Sequence, residues 1–144
     1  MNAKPKDSTE ELAAILRTWQ GIETASVASC GEIIAKTKNP LIKLLMEIIR
    51  QDSAMHHRVQ QVLLDSLEKQ AISLTPEELA EIWDMVEKHA EIEKSTIELA
   101  EKARDKCHLF VQRHLLSYLI EDEKKHERLL GQLEDFKRSM HPYL

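Results

Sequence analysis

At 144 residues the chain is long enough to bury a core without disulfides, and with only 3 Gly, 4 Pro and 4% aromatics it is composed for helices, not sheets. Its net charge of -5 arises from interspersed signs, which excludes a polybasic footprint for nucleic acid and an acidic tail. No apolar run approaches the roughly 18 residues of a membrane span, and Met1 to Ser8 lacks the pattern of a signal peptide, so a cytoplasmic protein is expected, with neither nucleic acid nor membrane as partner.

Four helices are predicted in order. Ser8 and Glu11 have the spacing of a reciprocal N-terminal cap, and helix 1 runs from there to about Thr37. Asn39 before Pro40 is a cap followed by a proline at the first helical position, opening a helix that continues to about Leu67. Thr75, Pro76 and Glu78 combine both signals and open helix 3, which fades near Arg104. Asp105 is then the expected cap of helix 4, which ends around Arg138 before a frayed tail, His141 to Leu144. Amphipathic helices of this length with short connections predict a single all-α domain over 1–144, a four-helix bundle of two tandem hairpins at about 8–67 and 76–138. Cys30 and Cys107 show no CxxC spacing, which argues against a Cys-ligated metal and for buried free thiols.

The two halves repeat. A shift of 70 residues superposes Glu23 on Glu93, Asp52 on Asp122, His56 on His126 and Arg58 on Arg128. In helix 1 the apolar stripe is expected to bury Leu12, Leu16, Trp19, Ser26, Cys30 and Ile33, and Glu23 lies on it. Glu93 shares a stripe with Val86, Ile97 and Ala100. In helix 2, Asp52 and His56 interrupt Leu45, Ile48, Ile49, Val59 and Leu63. In helix 4, Asp122, Glu123 and His126 lie among Leu115, Leu119, Leu129 and Leu133. An unpaired carboxylate in a core costs several kcal/mol, so ionisable groups at mid-length in all four helices suggest a shared cation. Glu23 and His56 fall about 21 and 24 Å from the first hairpin turn, a common level that Glu93 and His126 reproduce.

These residues resemble the ferritin-like di-iron carboxylate superfamily, and stand-alone rubrerythrin-like proteins in particular, in which two helices each give a Glu and two each give Glu-x-x-His. Glu123-Lys-Lys-His126 fits that motif, and Glu23 and Glu93 look like the single carboxylates. Ser53 stands where the second motif Glu is expected. Asp52 and Asp122 look like outer aspartates that orient a ligand histidine, with Asp52 or a water beside Ser53 as a substitute ligand. The resemblance thus implies metal ligands Glu23, His56, Glu93, Glu123 and His126, two irons, with manganese or zinc as alternatives, and ferroxidase or peroxidase-type chemistry on dioxygen or peroxide. No rubredoxin-type module is present, so reductive turnover would need an external electron donor. His89, in the place of Trp19, could cap or extend the site, while His57, His108, His114 and His141 have no partner at metal spacing. Tyr118 reads as core. The rival readings are a zinc or mononuclear bundle without redox activity, a metal-free interaction protein, and a phosphotransfer bundle, which would need an exposed reactive histidine. In the family's usual arrangement the second connection spans roughly 40 Å, whereas the nine residues from Leu67 to Pro76 reach about 30 Å. That implies either an up-down-up-down path within the monomer or an exchange of hairpins between two chains, and a homodimer is the expected assembly.

Overall fold

The computed structural model describes residues 5–140; the 141–144 tail lies outside them. Among the described residues the chain is all-α, with four helices: α1 (Pro5–Lys36), α2 (Pro40–Glu68), α3 (Pro76–Lys106) and α4 (Phe110–Met140). No helix among the described residues is long and apolar enough to cross a membrane. The chain divides into two compact units, Met1–Ser73 and Leu74–Leu144, each a helical hairpin.

Local chemistry sets two of the helix starts. Asn39 is extended at φ -77°, ψ 120°, and its Oδ1 accepts from the amides of Leu41 and Ile42 at 2.9 and 3.2 Å, with Pro40 at the position that needs no donor. At α3, Thr75 Oγ1 accepts from the Glu78 amide at 3.2 Å, while Glu78 Oε2 accepts from the Thr75 amide at 2.9 Å, a complete capping box. The other two starts differ from expectation. Helix α1 already runs from Pro5, so Ser8 and Glu11 lie inside it. Asp105 lies in the last turn of α3 and does not cap α4. Arg113 Nη1 reaches back to the carbonyls of Arg104 and Cys107 at 2.7 and 2.9 Å and closes the end of α3 from the next helix.

Within the first hairpin, Arg17 pairs with Glu68, Gln20 Nε2 donates to the His57 carbonyl at 3.3 Å, and the Ser26 and Ser53 hydroxyls meet at 2.9 Å, a descending register that makes α1 and α2 antiparallel. Ala13 and Leu16 pack with Leu64, and Leu67 borders them. In the second hairpin Lys137 Nζ stands 4.0 Å over the Trp83 ring and Lys124 pairs with Glu101 at 3.8 Å, again antiparallel; Leu79, Ile97 and Ile120 are its buried apolar residues.

Burial departs from the predicted stripes. Leu12, Trp19 and Ile33 on α1, and Leu45, Ile49, Val59 and Leu63 on α2, are between 41% and 51% exposed; Leu119 and Leu129 on α4 are also half exposed. Within a hairpin each helix has one neighbour and buries the arc facing it, which on α2 is Ser53, Gln60 and Leu64. The apolar residues lie about a quarter turn round, and by helical phase those of α1 and α2 fall on the same side of their hairpin. Cys30 is buried, but Cys107 is only partly so, since it forms the end of α3 and its thiol donates to Gln112 Oε1 at 3.3 Å.

Candidate metal centre

The second hairpin gathers three groups with the donor chemistry of a first-row metal site. A carboxylate oxygen of Glu93, a carboxylate oxygen of Glu123 and a ring nitrogen of His126 lie within 4.8 Å of one another. Each arrives for a helical reason. Glu93 sits on the arc of α3 that faces α4 and is buried, four residues before Ile97 on the same stripe. Glu123 and His126, three residues apart, project from adjacent turns of one face of α4. His126 Nδ1 is 3.6 Å from Glu93 Oε1 and 3.5 Å from Glu123 Oε2, separations close to those of ligand atoms that share one ion with bonds of roughly 2.0–2.2 Å. Its other nitrogen, Nε2, faces Asp122 Oδ2 at 3.4 Å, and Asp122 is itself held by Lys125 at 2.8 Å. A carboxylate on the far nitrogen is the usual device for fixing which ring nitrogen carries the proton and which offers its lone pair.

The two carboxyls adjoin within hydrogen-bonding reach. Glu93 is held below its ordinary value, chiefly by the hydrogen bond from Glu123 and further by those of His89 and the nearby His126 charge, against the cost of burial. Glu123 is pushed up by the same hydrogen bond, by burial and by the Glu93 charge. The two shifts oppose each other because adjoining carboxyls do not ionise independently, and the one that ionises first, Glu93, makes it harder for Glu123 to follow. Glu93 Oε2 is buried and receives no fixed N–H or hydroxyl among the described residues, an orphaned acceptor of the kind that a cation satisfies.

The first hairpin carries a thinner version of the layout. Glu23 is buried on α1, and His56 Nδ1 from α2 approaches its Oε1 at 3.4 Å, matching the His126–Glu93 contact. Here the resemblance to the second hairpin stops. Ser53, at the position equivalent to Glu123, is buried and engaged with the Ser26 hydroxyl, and no third ligating group joins Glu23 and His56 among the described residues. Asp52 is exposed, and the contact with Glu23 is the one ion pair His56 makes among those residues. His56 itself is 59% exposed in its side chain, against 40% for His126.

The roles of Trp19 and His89 differ from the sequence reading, which took Trp19 as packing and His89 as a group that could cap or extend the site. Trp19, read there as a packing residue, donates its indole Nε1–H to Glu23 Oε1 at 3.1 Å. His89 occupies the same place on Glu93, with Nε2 at 3.0 Å from Oε1. The i,i+4 spacing of each pair was the available signal. The Ser26–Ser53 bond had none, because it joins residues on two helices whose register is fixed only by the folded hairpin. No family model, curated protein or solved structure matches this chain.

Proposed function

We propose that the chain is a non-haem metal-binding protein of ferritin-like, rubrerythrin-like type, with iron as its metal, acting in iron oxidation or in the handling of dioxygen or peroxide. The observation that carries the reading is the convergence of Glu93, Glu123 and His126, two carboxylates and one imidazole without a thiolate, where the second oxygen of Glu93, Oε2, is buried and lacks a donor. Bound iron would supply one-electron chemistry toward the oxidant, with electrons from an external donor where turnover is reductive.

The residues have separable tasks. Glu93 and Glu123 provide the negative charge that favours the more oxidised metal. His126 presents Nδ1 to that position while Asp122 faces its Nε2. In the first hairpin Glu23 and His56 offer one carboxylate and one imidazole, a pair that binds weakly on its own. That inequality supports a second reading, one tightly held ion per chain, zinc included, without redox turnover, because Ser53 is committed to Ser26. A homodimer is proposed as well, on the half-exposed apolar side of the first hairpin, which includes Leu45, Ile49 and Val59.

Elemental analysis of protein purified without added metal tests the reading. One to two first-row ions per chain are expected, lost in Glu123→Ala and in His126→Ala. Unchanged metal content in both variants would remove the assignment. Iron with an optical change on exposure to air favours the redox reading, and zinc alone favours the second.

A further inference from the structure

We propose that His89 is a positioning residue of the metal centre, a fixed hydrogen-bond donor that orients Glu93 toward the cation and does not itself bind it; the inference rests on the metal-binding reading above. His89 lies one helical turn before Glu93 on α3, and its Nε2 is 3.0 Å from Glu93 Oε1. A carboxylate can only accept, so Nε2 carries the proton and has no lone pair to offer a metal in this arrangement. The cluster of mutually adjacent ligand atoms consists of Glu93, Glu123 and His126, and His89 is not within it.

The first hairpin supplies an internal control for this role. At the position 70 residues earlier stands Trp19, whose indole Nε1 donates to Glu23 Oε1 at 3.1 Å. An indole N–H is a donor under all conditions and never a metal ligand. Two side chains of different chemistry thus place one N–H on the same oxygen of the equivalent glutamate, at distances equal within 0.1 Å. What the two hairpins share is the donation, not the lone pair. With Oε1 anchored by His89, the Glu93 carboxylate cannot rotate freely, and its Oε2 stays buried without a fixed donor. A ligand whose rotamer is already fixed loses less freedom when the ion arrives.

The test is Co(II) binding to the full chain, followed by titration calorimetry and by the visible spectrum of the bound ion, in wild type, His89→Ala, His89→Gln and His89→Trp. The His89 side chain is 55% exposed, which leaves room for the larger indole, and Trp at this position reproduces what Trp19 already does. His89→Ala is expected to weaken Co(II) binding roughly 10- to 100-fold, as removal of a partner that orients a ligand does. His89→Gln and His89→Trp restore most of the affinity and leave the wild-type spectrum unchanged. Equal affinity in His89→Ala overturns the proposal, as does a loss that neither Gln nor Trp repairs, which would make the imidazole a ligand. If His89→Ala does not fold, wild-type affinity and spectrum in the Trp variant still support the proposal, and their loss overturns it. Failure of the wild type to take up Co(II) overturns the metal reading itself and this role with it, an outcome distinct from binding that is indifferent to residue 89.

Discussion

Ser53→Glu restores in the first hairpin the side-chain set that the second one carries, and its effect can be worked out from the contacts around it. Ser53 is 6% exposed and its hydroxyl lies 2.9 Å from Ser26 Oγ. Losing that hydrogen bond costs about 1 kcal/mol net, and partly desolvating a new carboxylate close to buried Glu23 costs about 1–2 kcal/mol more. The lower part of that range applies if the new side chain leans outward, as Glu123 does at the equivalent position, where it is only partly buried. The metal-free variant should therefore lose about 2–3 kcal/mol, or roughly 10–20 °C in melting temperature for a unit of this size. Divalent metal at a hundred times its dissociation constant returns about 2.7 kcal/mol to a state that binds it. The experiment belongs in a Glu123→Ala, His126→Ala background, which silences the second hairpin. Circular dichroism melts with and without Mn(II) or Co(II) should show little metal response in that background alone, and recovery of most of the lost stability once Ser53→Glu is added. A destabilised variant that gains nothing from metal would refute the chemical equivalence of the two hairpins.

Leu64→Ala removes a side chain packed on Ala13 and Leu16 and should cost about 3 kcal/mol in urea unfolding; the neighbouring Leu63→Ala, on the half-exposed side, should cost well under half as much in dilute monomer, and more where a second copy covers it. Light scattering at micromolar concentration checks the proposed homodimer directly, and a monomeric mass would refute it. Thr75→Ala dismantles the capping box at the start of α3 and should lower stability by about 1 kcal/mol in the same unfolding assay. In metal-free protein, Glu123, raised above the ordinary 4.5, contributes stability that is complete below that value and is lost as pH rises through its raised value; Glu93, depressed below 4.5, contributes stability present above 4.5 and lost as pH falls through its depressed value. The difference in melting temperature between wild type and Glu123→Gln should follow that course between acid and neutral pH, and a pH-independent difference would contradict the opposed shifts of the two carboxyls.

The parts of this structure that were legible in the sequence are those set within a few residues. Asn39-Pro40 and Thr75-Pro76-Glu78 announce helix starts because each cap is completed by amides two or three positions away. The end of α3 was read to within two residues, but what closes it was not legible, because Arg113 does so from the next helix. The phase of the core was only half legible. Apolar residues cover an arc wider than one neighbour can bury, and periodicity does not say which edge of that arc faces the hairpin partner, so Trp19 and Val59 appeared internal while Gln60 passed unnoticed. Glu23 and Glu93 stood out because a carboxylate on an apolar stripe conflicts with its surroundings. Trp19 did not, since a ring on such a stripe looks like packing, and His89 was legible as a neighbour of the site but not as a donor to Glu93.

The packing within the first hairpin also bears on synthesis. Contacts such as Ser26–Ser53 and Leu16–Leu64 join residues close in sequence, and helical structures of that kind form within milliseconds. The 71 residues from Leu74 to Leu144 take about 4–14 s to translate at ordinary rates. Later in that interval, once the first hairpin has emerged from the ribosome, its half-exposed apolar side is presented by a chain tethered among others on the same message. The side chains of that surface thus face a chaperone or a neighbouring nascent chain before the second hairpin is complete.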